Sequence, residues 1–174
     1  MGAGIARVLD AQGAHVIVTG LTEQEGANSD YEAHIFDVRE TNAGTRLLEG
    51  LANLDVLAGN EGVYPQSPIV DMSDEDVDFI SNIDVKGTIQ MVKAATTLLV
   101  ASRSSRVIIT PSITGNYTGH PKWAHYSATK AAHMSFMHSV AFELAPQSIT
   151  VNAVLPGSIL PPDSMQSVRN ISPT

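Results

Sequence analysis

Residues 106–157 contain three runs that decide the fold: V-I-I-T at 107–110, A-H-Y-S-A-T-K-A-A-H-M-S-F-M-H-S-V-A-F-E-L at 124–144, and I-T-V-N-A-V-L at 149–155. The outer two are short, apolar and rich in β-branched residues, as strands covered on both faces are. The middle run lacks glycine and proline and suits a long helix. Strand, helix and strand in that order form a βαβ unit, whose crossover makes the two strands parallel.

The same alternation continues outward. Asp71 to Ser105 is the longest helical region. Ser73 and Asp76 form an S-x-x-D capping box there, and Asp74, Glu75 and Asp76 fill a first turn where the helix dipole favours negative charge. Ile80, Ile83, Gly87, Met91, Ala94 and Leu98 continue at helical spacing. Further toward the N-terminus, L-D-V-L-A at 54–58, A-H-I-F at 33–36 and H-V-I-V-T at 15–19 read as strands. Thr41 to Leu51 and the Ile5–Val8–Leu9 stripe closed by Gly13 read as helices. Residues 158–174 show no periodicity and read as a loop. The expected class is α/β: a Rossmann-like three-layer α/β/α domain at 1–157 with a mostly parallel sheet, followed by a tail at 158–174. Ligands in such sheets bind at the carboxyl ends of the strands, which directs attention to the loops after Thr19, Phe36, Ala58, Thr110 and Leu155.

The chain has 174 residues, ten Lys and Arg against 18 Asp and Glu, and a net charge of −8. That balance disfavours a sequence-independent grip on nucleic acid or anionic lipid. With no cysteine, disulfides, thiolate zinc sites and cysteine nucleophiles are excluded. Arg7, Asp10 and Gln12 interrupt any leader-like apolar run, and Ala6 breaks the myristoylation pattern begun by Met1-Gly2. No run approaches the length of a membrane span. A cytoplasmic, soluble protein is the expectation.

Chemistry concentrates at Y-S-A-T-K, where Tyr126 and Lys130 are four apart and share a helix face. An ammonium held beside a phenol favours the phenolate, which makes tyrosine usable as a general acid/base near neutral pH. Ser112 stands at a strand's carboxyl end, where its hydroxyl could hold a substrate oxygen. Alone, a helical Tyr and Lys are commonly a surface pair, and a serine after a strand is commonly a turn residue.

Context adds to the pattern. R-V-I-I-T-P-S-I-T-G, H-Y-S-A-T-K-A-A-H and S-I-T-V-N-A-V-L-P-G follow one another between Arg106 and Gly157, and this order resembles the classical short-chain dehydrogenase/reductase family. The resemblance runs from Gly2 to about Pro161. It implies a Rossmann-like fold, NAD or NADP as cofactor, a small carbonyl or alcohol substrate, and assembly as a homodimer or homotetramer. By carry-over, Tyr126 is the acid/base, Lys130 binds the nicotinamide ribose and acts on the phenol, and Ser112 orients the substrate oxygen. Asp37-Val38 matches the adenine-contacting aspartate, Asn60 a retained asparagine after a strand, and Pro156-Gly157 the loop beside the nicotinamide. Asn152 is expected to pack or cap.

Departures from the family pattern bear on activity. Its first strand and glycine-rich turn would precede Met1, so Gly2 and Gly4 stand as a remnant of the phosphate-binding turn, and the last helix and strand would lie beyond the tail. Loss of that first strand leaves two ladder edges. The His15 strand then re-pairs with the Leu54 strand, another chain fills the gap, or the fold is fragile. Gly59 and Glu61 replace asparagine and alanine around Asn60, and a carboxylate there would repel phosphate unless it turns to solvent. Asp84 stands where the family has an active-site asparagine; it accepts but does not donate when ionised. Leu160 replaces a threonine, and Gly20-Leu21-Thr22 offers no residue that chooses between NAD and NADP.

Among the other candidates, the six histidines have no metal-ligand spacing, so no metal is expected. His125 could line the site or be a packed histidine, and Trp123 and Tyr117 could form an apolar substrate mouth or loop packing. Met91, Met134 and Met137 read as core or interface fill. Two functional readings stay open: an NAD(P)-dependent carbonyl/alcohol oxidoreductase, or a catalytically impaired remnant that persists as an oligomerising or binding module through its two long helices.

Overall fold

Among the described residues of the computed structural model every strand is four residues long, and each ends near a glycine, a proline or a polar loop. The structure describes residues 1–22 and 30–159. Strands β1 (Ile17–Gly20), β2 (Glu32–Ile35), β3 (Val56–Gly59), β4 (Arg106–Ile109) and β5 (Thr150–Ala153) all pair in parallel. Helices flank them, giving a Rossmann-like α/β architecture. Of the tail read at 158–174, residues 158 and 159 have no regular structure, and 160–174, Leu160 included, lie outside the described residues.

The ladder is divided. One sheet has order β1-β2 and the other β3-β4-β5. Among the described residues β1 pairs only with β2 and β3 only with β4, so of the three outcomes left open the re-pairing of the His15 strand onto the Leu54 strand does not occur. Strand β2 is exposed along its whole length. Strand β4 is central in its sheet, and Val107 and Ile109 are fully buried. They join Val92, Ala95 and Leu99 from α4 (Thr88–Ala101), Val140 and Leu144 from α5 (Ala124–Leu144), and Ile149 and Val151 in one apolar cluster. That burial is the main favourable term holding the three-stranded half together.

Helix α1 (Gly2–Ala11) buries Ala6 and ends before Gly13, whose φ of 85° suits glycine. Helix α2 (Ala43–Leu47) is shorter than the run 41–51 predicts, because Asn42 takes left-handed geometry before it. The capping box that opens α3 (Asp74–Ile80) forms as expected. Ser73 Oγ accepts from the Asp76 N–H at 3.1 Å, and Asp76 Oδ2 accepts from the Ser73 N–H at 3.1 Å. The helix expected to continue unbroken instead passes through a π-helical stretch, Ser81–Gly87, before α4. Such stretches widen the turn and re-aim side chains. The side chain at its centre is Asp84. Gly87 closes it against Val38, where a Cβ would lie 2.7 Å from Val38 Cγ2.

Candidate active site

Parallel register puts the carboxyl ends of β3, β4 and β5 side by side, so the loops carrying Asn60, Ser112 and Pro156 leave one edge of the sheet. Two of these loops are tied together: the Ile113 N–H donates to the Pro156 carbonyl at 3.1 Å, and a Cβ on Gly157 would be 3.4 Å from Ile113 Cδ1. Ser112 is buried at 9% exposure, and its Oγ accepts from the Thr114 N–H at 3.1 Å.

Helix α5 supplies Tyr126 and Lys130. The Lys130 ammonium lies 5.7 Å from the centre of the Tyr126 ring. Lys130 is 4% exposed and Asp84 fully buried, and their charged groups pair at 3.3 Å. Asp84 is held in turn: Oδ1 accepts from the Val63 N–H at 3.1 Å, and Oδ2 accepts from the Thr129 hydroxyl at 3.0 Å. A buried ammonium without a counter-charge is costly, and this carboxylate supplies one. Asp84 thus anchors the lysine, a role its acceptor-only chemistry permits. Gly62 makes room for the pair, since a Cβ there would sit 2.7 Å from Lys130 Nζ and 3.4 Å from Asp84 Oδ1.

The unexpected carboxylate, Glu61, turns inward and accepts from the Thr88 hydroxyl at 2.6 Å. That hydroxyl lies 3.2 Å from His133 Nε2, which is also 2.6 Å from the Asp84 carbonyl oxygen. A carbonyl only accepts, so Nε2 carries the hydrogen. Burial, with the Lys130 charge adding to it, pushes the His133 pKa below its ordinary 6.5 and keeps the ring neutral, against the opposing pull of the Asp84 carbonyl and the Asp84 and Glu61 charges.

The other expected cofactor residues are distributed unevenly. Gly2, at the start of α1, faces Asn60: a Cβ on Gly2 would be 3.4 Å from Asn60 Nδ2. Among the described residues, Asn60 Oδ1 is buried without a hydrogen-bond partner. Gly4 would bring a Cβ within 4 Å of nothing. Asp37 is occupied by Arg39, which reaches it through Nε at 2.9 Å and Nη2 at 2.6 Å and through its own N–H at 2.9 Å. Those hydrogen bonds hold the Asp37 carboxyl below the usual carboxylate range. Val38 packs on Gly87. Asn152 is exposed and reaches Thr150 Oγ1 at 3.4 Å.

Sequence reasoning missed Asn116. Its Nδ2 donates to the Ser112 carbonyl at 2.9 Å and to the Lys130 carbonyl at 3.1 Å, stitching two candidate residues together. It missed Tyr64 as well, whose ring meets Trp123 edge-on at 6.5 Å. His125 is buried, and neither ring nitrogen has a partner among the described residues. It borders a cavity of about 170 Å³ lined also by Val77, Ser81, Val85, Ala128 and Thr129. A larger cavity of about 380 Å³ lies between α2 and α4, away from Tyr126. Among the described residues no group of three or more His, Asp or Glu is placed to hold a metal, and no helix is long and apolar enough to cross a membrane.

Comparison with known proteins places this geometry in context. The family model for short chain dehydrogenase matches residues 1–171. Oxidoreductase UcpA of Escherichia coli K12 is 31% identical over 185 positions, covering 99% of this chain and 70% of UcpA. The 3-oxoacyl-[acyl-carrier-protein] reductase FabG of Rickettsia bellii is 32% identical over 165 positions, covering 91% of this chain and 68% of FabG. Among solved structures, ElxO with NADP bound superposes with a TM-score of 0.82 at 23% identity, covering 97% of this chain and 74% of ElxO, a likeness of fold.

Proposed function

The chain belongs to the short chain dehydrogenase family, and from that premise we propose that it interconverts a carbonyl and an alcohol with NAD or NADP, with Tyr126 moving the proton. The observation that carries this reading is the Tyr126–Lys130 pair, one helical turn apart and clamped by buried Asp84.

The residues present fit a dinucleotide. Asn60 keeps a buried acceptor without a partner, Gly62 lets the Lys130 ammonium approach its backbone, and Gly2 opens a helix next to Asn60. In this reading Gly2, Asn60, Lys130, Pro156 and Gly157 hold the cofactor, which when bound supplies or takes up hydride. Asp37 would bind through whatever acceptor capacity Arg39 leaves, with Val38 beside it. Gly4 contributes backbone only.

In the reducing direction the Ser112 hydroxyl donates to the substrate carbonyl oxygen and orients it. Tyr126 gives its phenolic proton to that oxygen as the carbon gains hydride, and the alcohol leaves with both. Lys130 stabilises the phenolate that remains, and Asp84 keeps the ammonium in place. Oxidation runs the same steps backward. The assembly is proposed to be a homodimer or homotetramer, which size-exclusion chromatography with light scattering reads directly.

Thermal-shift titration with NAD(H) and NADP(H) tests the cofactor half. A ligand at 100 times its Kd adds about 2.7 kcal/mol of stability. Tyr126→Phe tests the chemistry: turnover is abolished while the cofactor-induced shift persists. Unchanged turnover in that variant removes Tyr126 as the proton donor. A shift with turnover absent from the parent chain favours the impaired-module reading.

A further inference from the structure

Around Tyr126 the surface is built from rings. Trp123 caps α5, and its ring lies 5.5 Å from that of Tyr126, tilted by 55°. His120 stacks beside Trp123 at 4.5 Å and 38°. Tyr64 arrives from a distant stretch, the loop after β3, and meets Trp123 at 77°. That loop is strapped to the one before α5, because the Ser67 N–H donates to the Lys122 carbonyl at 3.0 Å. Yet the strap leaves Tyr64 70% exposed and Ile69 73% exposed, and Tyr117 in the facing loop is 81% exposed. Apolar rings thus run from the surface to the tyrosine that carries the proton.

Among the described residues the ring cluster holds no buried cation free to pair with an anion. Lys130, the cation beside Tyr126, is already paired with Asp84, and Lys122, the residue before Trp123, stands exposed to water. Glu61, on the same loop as Tyr64, is committed to Thr88. The chain as a whole carries −8. An ionised carboxylate or phosphate would lose hydration here and meet only a solvent-screened lysine, not a buried counter-charge. A flat π surface gains from offset or edge-on contact with each ring it meets.

We infer that the substrate is an uncharged carbonyl compound, or its alcohol, bearing an aromatic or conjugated ring that lies against Trp123 and Tyr64. This rests on the reading of Tyr126 as acid/base but concerns a separate group of residues. Trp123 is the only tryptophan in the chain, so its fluorescence reports on this surface without any need for turnover.

Two measurements test it. The first compares kcat/KM for acetophenone, cyclohexyl methyl ketone and benzoylformate with the full chain and NADH or NADPH. Acetophenone is expected to lead each of the others by about tenfold, the scale on which a complementary pocket discriminates. Tyr64→Leu, at an exposed position, and Trp123→Leu are expected to raise KM for acetophenone about tenfold more than KM for the cyclohexyl ketone. The second follows saturable quenching of Trp123 by acetophenone in the parent chain and in Tyr64→Leu, where it should weaken.

Saturable quenching without turnover of any ketone supports the aromatic surface and overturns the acid/base reading. Turnover with no preference for the aryl ketone, or with a preference that both variants leave unchanged, overturns the inference and leaves that reading standing. Preference for benzoylformate overturns the inference through its charge argument. Neither quenching nor turnover overturns both.

Discussion

Asn116 spends both hydrogens of its carboxamide on two backbone carbonyls, those of Ser112 and Lys130. It fixes how far the serine's loop stands from the lysine's helix while bonding to neither side chain, which in the proposed mechanism makes it a positioning residue. Asn116→Ala removes both donors. Turnover depends steeply on placement, and an error of about 1 Å can cost on the order of a hundredfold. We expect kcat to fall by about ten- to a hundredfold with the cofactor-induced thermal shift retained; steady-state kinetics beside the shift assay checks this. Legibility at this scale followed chain distance. Tyr126, Lys130 and Ser112 stand out because a four-residue spacing and a strand end are local signals. Asp84 is visible as an odd residue, but its partner lies 46 positions away, and nothing local says that the two charges meet. Asn116 looks like any loop asparagine until the loop folds onto α5.

That loop and that helix meet through a glycine. Gly115 has a φ of 90°, and a Cβ there would come 2.1 Å from the Ser127 carbonyl oxygen, against backbone that cannot swing aside. Gly115→Ala therefore has to push the loop off the first turns of α5 or strain its own backbone. A loss of more than about 1 kcal/mol is expected, with turnover falling further than stability alone accounts for, because Ser112 moves with the loop. Denaturant midpoints and kcat together decide it. Element existence was readable from periodicity: α5 spans the run read as helix, and the capping box of α3 forms as its sequence predicts. The π-helical stretch was not readable, because apolar residues keep nearly the same face through one widened turn. Strand ends shifted by one to two residues, since the ladder's register rather than the apolar run sets them.

For the whole molecule, a loss of stability between pH 7.5 and 5.5 is expected from one buried ring. His133 is 2% exposed and carries a pKa below 6.5, while the unfolded chain takes up its proton near that value. As pH falls through about 6.5 the unfolded state binds a proton that the folded state refuses. Stability therefore drops, by up to about 1.4 kcal/mol per pH unit, until the folded-state value is reached. Above 6.5 this contribution is flat. Urea unfolding at pH 7.5 and 5.5 should show the loss in the parent chain, and His133→Gln should flatten much of it; an equal loss in both traces the effect to another group. The sheet's division was half foreseen. The family resemblance implied two ladder edges, but not which outcome follows, because strand pairing is decided by tertiary placement rather than by composition.

Backbone hydrogen bonds join β1 to β2 and β3 through β5, and among the described residues none bridges the two groups. Cooperativity has to pass between them through side chains alone. The three-stranded half keeps the large apolar cluster and the Tyr126 helix, while β2 lies open to water along its length. Uneven burial of this kind predicts uneven local stability: gentle unfolding is expected to release the Asp37 side first and leave the Tyr126 helix standing on its own scaffold.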